Sequence, residues 1–203
     1  KAGLNFSDLI TTISKTYARE IQTSYYGHGL DGLLRKRKDD LYGIVNGIDY
    51  NLYNPLKDPH IFVNYRNAVE KKQENKIRLQ QMLNLPVNKN IPMFVIISRL
   101  VSQKGLDLID DILEHLLGME LQLVVLGTGD LFYEQMFREV SWHYPDKMSA
   151  HITFNEDLAR KFYAAGDFFL MPSQFEPCGT GQLIALRYFT IPVVRETGGL
   201  VDT

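Results

Sequence analysis

Four short stretches of this sequence join charge, glycine and helix-starting residues in ways that suit an anionic ligand. Ser98-Arg99-Leu100-Val101-Ser102-Gln103-Lys104-Gly105 sets two cations close together. A guanidinium can grip phosphate oxygens in pairs, while an ammonium acts as a compact point charge. Gly127-Thr128-Gly129-Asp130 offers backbone that a ligand can approach closely. Phe154 has a ring face that could meet a nucleobase. The run Pro172-Ser173-Gln174-Phe175-Glu176-Pro177-Cys178-Gly179-Thr180-Gly181-Gln182 puts a carboxylate and a glycine-rich turn just ahead of a helix-prone stretch. Free N–H groups and the dipole at a helix start favour anions, so this run suits a phosphate beside a carboxylate. Each stretch also has a plainer reading. The cations could cap loops, the glycines could make a tight turn, and Phe154 could be buried. Cys178 could be a small semi-buried residue, since no His partner is evident to make it a nucleophile.

These stretches gain meaning from the elements that must position them. From Met93 onward, short apolar runs alternate with amphipathic stretches, the pattern of βαβ units. The strands expected are 93–98, 121–126, 148–154, 168–171 and 191–194. The helices expected are 106–117, 132–144, 156–165 with Asn155 as its cap, and 182–188. Runs such as Phe94-Val95-Ile96-Ile97 lack alternation, as strands do when helices cover both faces of a sheet. The fold expected is α/β, a Rossmann-like doubly wound parallel sheet. In such sheets ligands bind beyond the carboxyl ends of the strands, where all four stretches fall.

Earlier in the chain, a strand is expected over 6–14, a short helix over 16–22, and a helix-prone stretch over 64–83. Asn46-Gly47 signals a tight turn. The domain junction is placed there, giving 1–45 as one piece and 46–203 as the ligand-binding domain. The basic run Arg35 to Lys38, followed by Asp39 and Asp40, reads as a solvated loop.

With 203 residues and a formal net charge of −2, the chain can bury a core but lacks the basic field expected of a nucleic-acid or membrane-surface binder. Its single cysteine excludes an intrachain disulfide and thiolate-pair metal sites, and its five histidines show no ligand spacing. A reducing cytoplasm fits best. No apolar run approaches the ~20 residues of a membrane span. The start at Lys1 without Met, and the end in Thr197 to Thr203, which reads as a helix start, suggest a piece of a longer protein.

The sequence resembles the bacterial glycogen synthases and plant starch synthases, retaining glucosyltransferases of the two-domain GT-B architecture. The resemblance covers nearly the whole chain. It is carried by Thr16-Tyr17-Ala18-Arg19-Glu20-Ile21, by Tyr26-Gly27-His28-Gly29-Leu30-Asp31-Gly32, and by Ile44-Val45-Asn46-Gly47-Ile48-Asp49. Ser98-Arg99-Leu100 with Gln103-Lys104-Gly105, Gly127-Thr128-Gly129-Asp130, Pro172 to Gly179 and Thr197-Gly198-Gly199-Leu200 complete it.

The resemblance implies transfer of glucose from ADP-glucose to an α-1,4-glucan such as glycogen or starch, in the bacterial cytoplasm or a plastid. It implies that Arg99 and Lys104 bind the diphosphate, that Glu176 faces the donor sugar, and that Phe154 packs on adenine. Cys178, Gly179, Thr180 and Gly181 fall in the phosphate-contacting turn, and Asn46 lies at the interdomain hinge. No metal is needed if the two cations neutralise the diphosphate. A covalent step on Glu176 and a front-face displacement both stay open. Thr180-Gly181 stands where the family has Leu-Thr, and Ile184 occupies the position of a second Glu kept by other GT-B branches. The family's N-terminal domain, with its donor loop, its His and much of the acceptor groove, is not matched, so the segment alone is expected to be inactive. A UDP-sugar transferase and a non-catalytic nucleotide-binding module remain as alternatives. A dinucleotide-dependent oxidoreductase loses support because Phe132 takes the third glycine position of GxGxxG.

A carboxylate beside a diphosphate suffers like-charge repulsion. On sequence alone, Glu176→Gln is therefore expected to leave folding intact or slightly improved.

Overall fold

Apolar runs without alternation need cover on both faces, and in the computed structural model, which describes residues 1–203, they receive it. Strands β3 (Met93–Ile97), β4 (Gln122–Leu126), β5 (Met148–His151), β6 (Phe168–Met171) and β7 (Ile191–Val194) form one parallel sheet in the order β5-β4-β3-β6-β7. On one face lie α4 (Val69–Met82), α7 (Glu156–Ala165) and α8 (Gly181–Arg187), around Leu79, Val95, Val124, Phe162 and Phe169. On the other lie α5 (Leu106–Gly118) and α6 (Leu131–His143), around Ile96, Leu113, Leu123, Val125 and Phe137. The chain steps outward from β3 to β5, then returns to the other side of β3 through β6 and β7. That reversal makes the gap between β3 and β6 the topological switch point, where ligands bind in such folds.

The expected strands and helices from Met93 onward match to within a residue or two, except that β5 ends at His151, freeing Ile152 to Asn155 as a loop. Asn155 caps α7 by accepting from the Leu158 N–H at 2.9 Å.

The N-terminal part differs more. It holds α1 (Ala2–Phe6), β1 (Ile10–Thr12), α2 (Lys15–Glu20), α3 (Asp31–Lys36) and β2 (Leu41–Gly43), with β1 and β2 paired in parallel around Ile10, Ala18, Leu34 and Leu41. The expected strand over 6–14 shrinks to three residues, because Phe6 closes α1 and Ser14 caps α2. Arg35 to Lys38 is not simply a solvated loop. Arg35 and Lys36 end α3, and the Arg37 guanidinium donates to the carbonyls of Leu4, Asn5 and Ser7 at 2.7–3.1 Å while pairing with Asp40. Asn46-Gly47 makes no turn: the backbone from Ile44 to Asp49 is neither turn nor strand, and the Asn46 N–H donates to Cys178 Sγ at 3.4 Å. The chain ends in α9 (Gly199–Asp202), which packs against α2.

Irregular chain between Ile44 and Ala68 must find anchors, since buried backbone and charge are costly unless paired. Asp58 supplies one. Its Oδ2 accepts from the Tyr188 hydroxyl and from Arg160 Nη1 at 3.4 Å, and all three side chains are buried or nearly so. Arg160 also donates to the Leu52 carbonyl at 2.7 Å and lies 4.0 Å from the centre of the Tyr53 ring. Burial, reinforced by the bond to Asp58, pushes the Tyr188 phenol up, so it stays a donor.

Removing one partner from such a buried pair strands the other charge, which costs about 3–5 kcal/mol. Asp58→Ala should therefore lower the free energy of urea unfolding by about that amount. Asp157→Ala, which breaks only exposed pairs with Lys161 and His60, should cost about 1 kcal/mol or less. Equal effects of the two substitutions would show that Asp58 does not anchor the loop.

Candidate functional site

The switch point holds a cavity of about 410 Å³ lined by the ends of β3 (Ile96, Ile97) and β6 (Leu170, Met171) and by the loops that follow them. After β3 the chain passes Ser98 and Arg99, then makes one 3-10 turn over Ser102–Lys104. Gly105 ends that turn with φ +70°, and a Cβ there would lie 2.0 Å from the Pro172 carbonyl oxygen. Only glycine lets the two loops meet so closely. They are then joined by the Gln174 N–H donating to the Gln103 carbonyl at 2.9 Å.

That approach sets Lys104 Nζ 2.6 Å from Glu176 Oε2. Ser173 Oγ donates to the same oxygen at 3.1 Å. Both protein donors therefore sit on Oε2, leaving Oε1 without a protein donor in a residue that lines the cavity. Glu176 is only 7% exposed. Arg99, by contrast, is exposed and has no carboxylate partner. One cation is thus held in reserve by a carboxylate, and the other is free to meet an anion.

Of the residues singled out from sequence, Asn46, Arg99, Lys104, Glu176, Gly179, Thr180 and Gly181 line this one cavity. Phe154 lines a smaller neighbour of about 240 Å³ that shares Ile97, Ser98 and Arg99 with it. The plainer reading of Phe154 as buried does not hold, for its ring is 83% exposed beyond the shortened β5. Cys178 is the residue not brought in. It is fully buried, does not line the cavity, and its Sγ accepts the Asn46 N–H at 3.4 Å, so its thiol contacts the segment after β2 instead.

The glycines after β4 also act differently from the sequence expectation. A Cβ at Gly127 would lie 1.9 Å from the Ser98 carbonyl oxygen, and one at Gly129 would lie 2.3 Å from that of Leu100. They admit the backbone of the Arg99 loop, with the Leu100 N–H donating to the Thr128 carbonyl at 2.9 Å and the Asp130 N–H to that of Leu100 at 2.8 Å. They bear on the cavity indirectly, through the placing of Arg99. The turn before α8 keeps its expected place. Its first N–H groups lie at the start of a helix, where no intrahelical acceptor exists.

Sequence reasoning missed Ser173. Its signal is the Ser-x-x-Glu spacing directly after a strand end, which lets a hydroxyl reach a carboxylate three residues on. It also missed Tyr163, whose phenol is pushed up by burial and so remains neutral on the cavity wall. His151, at the end of β5, is pushed down by burial, which favours a neutral imidazole.

The pairing of Glu176 with Lys104 reverses one expectation. Glu176 does not stand alone against a diphosphate, so its removal leaves a part-buried ammonium unpaired and should cost stability.

Three kinds of likeness bear on this arrangement. Residues 1–36 match the family model described as the starch synthase catalytic domain. The whole chain is 62% identical to a glycogen synthase of Clostridium acetobutylicum and 59% identical to one of Thermotoga maritima, covering 43% and 42% of their lengths. Its fold matches the catalytic domain of starch synthase IV from Arabidopsis thaliana, a structure bound to ADP and acarbose, with a TM-score of 0.92 at 37% identity. The match covers 98% of this chain and 41% of that one. A likeness to Anabaena HepE in complex with UDP-glucose, at a TM-score of 0.66 and 19% identity, concerns the fold alone. The chain spans less than half the length of these relatives. No helix is long and apolar enough to cross a membrane. By identity along its whole length and by a fold shared at a TM-score of 0.92, this chain is similar to part of the glycogen synthases and starch synthases.

Proposed function

We propose that this chain supplies the donor-nucleotide side of an enzyme that transfers glucose from ADP-glucose to the non-reducing end of an α-1,4-glucan, with retention at the anomeric carbon. The observation that carries the reading is the convergence of Arg99, Lys104 and Glu176 on the cavity between β3 and β6. As the glycosidic bond to ADP breaks, positive charge grows on the sugar and negative charge on the departing diphosphate. A carboxylate near the first and cations near the second bind the transition state better than the ground state, which is what accelerates the step.

On this reading the tasks are divided among the residues as follows. Arg99, free of protein partners, meets the diphosphate with its guanidinium, and the turn at Gly179 to Gly181 adds backbone donors. Lys104 stands between Glu176 and the phosphates, so it can neutralise either. Glu176 Oε1 is the oxygen left for the sugar. Phe154 offers its exposed ring to the base in the adjoining cavity. Arg99, with Lys104 shared between Glu176 and the diphosphate and the N–H groups at the start of α8, is assigned that charge, and the reading calls on no metal. Residues 1–45 are assigned to the edge of the acceptor-side domain and 46–203 to the nucleotide domain. The acceptor groove itself is assigned to chain outside this segment, as the relatives' greater length allows.

In a protein of the relatives' full length, Arg99→Ala and Lys104→Ala should each lower kcat about a hundredfold to a thousandfold, the scale for one preorganised charge-stabilising group. Steady-state glucan elongation would measure this, and a near-normal rate in either variant would remove that residue from the diphosphate. Glu176→Gln should lower turnover at least as far and also lower the melting temperature. A variant as stable and as active as the parent would return Glu176 to a passive role.

For the 203-residue segment alone, calorimetry should find weak binding of ADP, stronger than that of UDP, with no glucan elongation, because closure of two domains assembles such sites. Preference for UDP in that competition would turn the reading toward a UDP-sugar donor. Elongation by the segment itself would overturn the assignment of the acceptor side.

A further inference from the structure

We propose that Ser14 is a positioning residue for Glu176, acting from the far end of the chain through the Pro177 carbonyl. The claim rests on the reading of Glu176 as the carboxylate at the donor sugar. Ser14 is fully buried between β1 and α2, and its hydroxyl has two partners. It accepts the Tyr17 N–H at 3.1 Å, capping α2, and donates to the Pro177 carbonyl at 2.7 Å, across 163 residues of sequence.

Proline makes that second bond matter. Its ring fixes φ, and it keeps the residue before it out of the helical region, so the Glu176-Pro177 unit has fewer soft rotations than ordinary chain, and the ψ of Pro177 is one of those that remain. A hydrogen bond on the Pro177 carbonyl fixes that rotation. The Glu176 carbonyl is held separately by the Gly199 N–H at 2.9 Å. Two consecutive carbonyls just after the Cα that carries the carboxylate are thereby pinned.

Ser14 is a firm anchor because its own surroundings are over-determined. A Cβ at Gly43 would lie 2.0 Å from the Ser14 carbonyl oxygen, so β2 crosses directly against it. Beyond Ser14, α2 and α9 cap one another with carboxylates. Asp202 accepts the Thr16 N–H at 2.7 Å and the Thr16 hydroxyl at 2.8 Å, while Glu20 Oε1 accepts the Gly198 N–H at 2.8 Å and the Thr197 hydroxyl at 3.1 Å. These bonds tie the first elements of the chain and its last to the same loop. A misplacement of about 1 Å at a reacting group can cost on the order of a hundredfold in rate, so a rotor freed at Pro177 would be felt at Glu176.

The test uses the protein of full length with Ser14→Gly, which removes the hydroxyl while remaining an acceptable N-cap, and Ser14→Ala as the second variant. Two measurements are made on each. Hydrogen exchange should quicken at the amides of residues 174–183 and stay at parent rates in α4 to α7. Glucosyl transfer should fall about ten- to a hundredfold in kcat, with KM for the nucleotide sugar and affinity for ADP within about twofold of the parent. Unchanged exchange at 174–183, a kcat equal to the parent's, a KM rising in step with the loss of kcat, or loss of the fold in both variants would each overturn the proposal. If the parent transfers no glucose, the functional reading fails, while the exchange comparison still judges Ser14.

Discussion

The ion pair between Lys104 and Glu176 is the constraint around which this molecule is arranged. It joins the loop after β3 to the loop after β6 across the gap where the strand order reverses. Around it Gly105 lies against Pro172, Gly127 and Gly129 lie against Ser98 and Leu100, and the Pro177 carbonyl accepts from Ser14. The sheet supplies the rigid floor. Everything above it serves to bring one carboxylate and two cations to a single opening.

The pair is also a poised arrangement. A buried ion pair seldom adds much net stability, because desolvation offsets the attraction, but it orients both groups. On the proposed function it stores a cation beside the departing diphosphate. On that reading the diphosphate would compete with Glu176 for Lys104, and Arg99, with no carboxylate partner, would meet it first. The order of encounter is thus written in exposure: the open guanidinium outside, the shielded ammonium within.

Much of this was legible before any coordinates. The sheet followed from apolar runs of strand length separated by helical stretches, because period and length are local properties. Arg99, Lys104, Glu176 and the turn at Gly179 to Gly181 could be placed because residues just past strand ends must gather at one edge. What was not legible depends on partners distant in sequence. Nothing near Arg37 announces that its guanidinium will collect the carbonyls of Leu4, Asn5 and Ser7. Nothing near Asn46-Gly47 announces that the Asn46 N–H will donate to Cys178 Sγ. The Gly127 and Gly129 case is subtler, for the need for close approach was read correctly and its object was not: the neighbour is another loop of the same chain.

The glycines along this upper edge have an energetic side. Each loses more conformational freedom on folding than a residue with a side chain, by roughly 0.5–1 kcal/mol relative to alanine. The loops around the cavity therefore gain shape at the expense of local stability, while the opposite end of the sheet is tied by Tyr65 and by Lys72, whose ammonium donates to carbonyls at the ends of both α7 and α8. Local opening should begin at the cavity rim and leave that lower end closed. A ligand bridging the two loops would then hold shut the weakest part of the molecule, so occupancy would register as slower local exchange and resistance to proteolysis at the rim before it registered in the global melt.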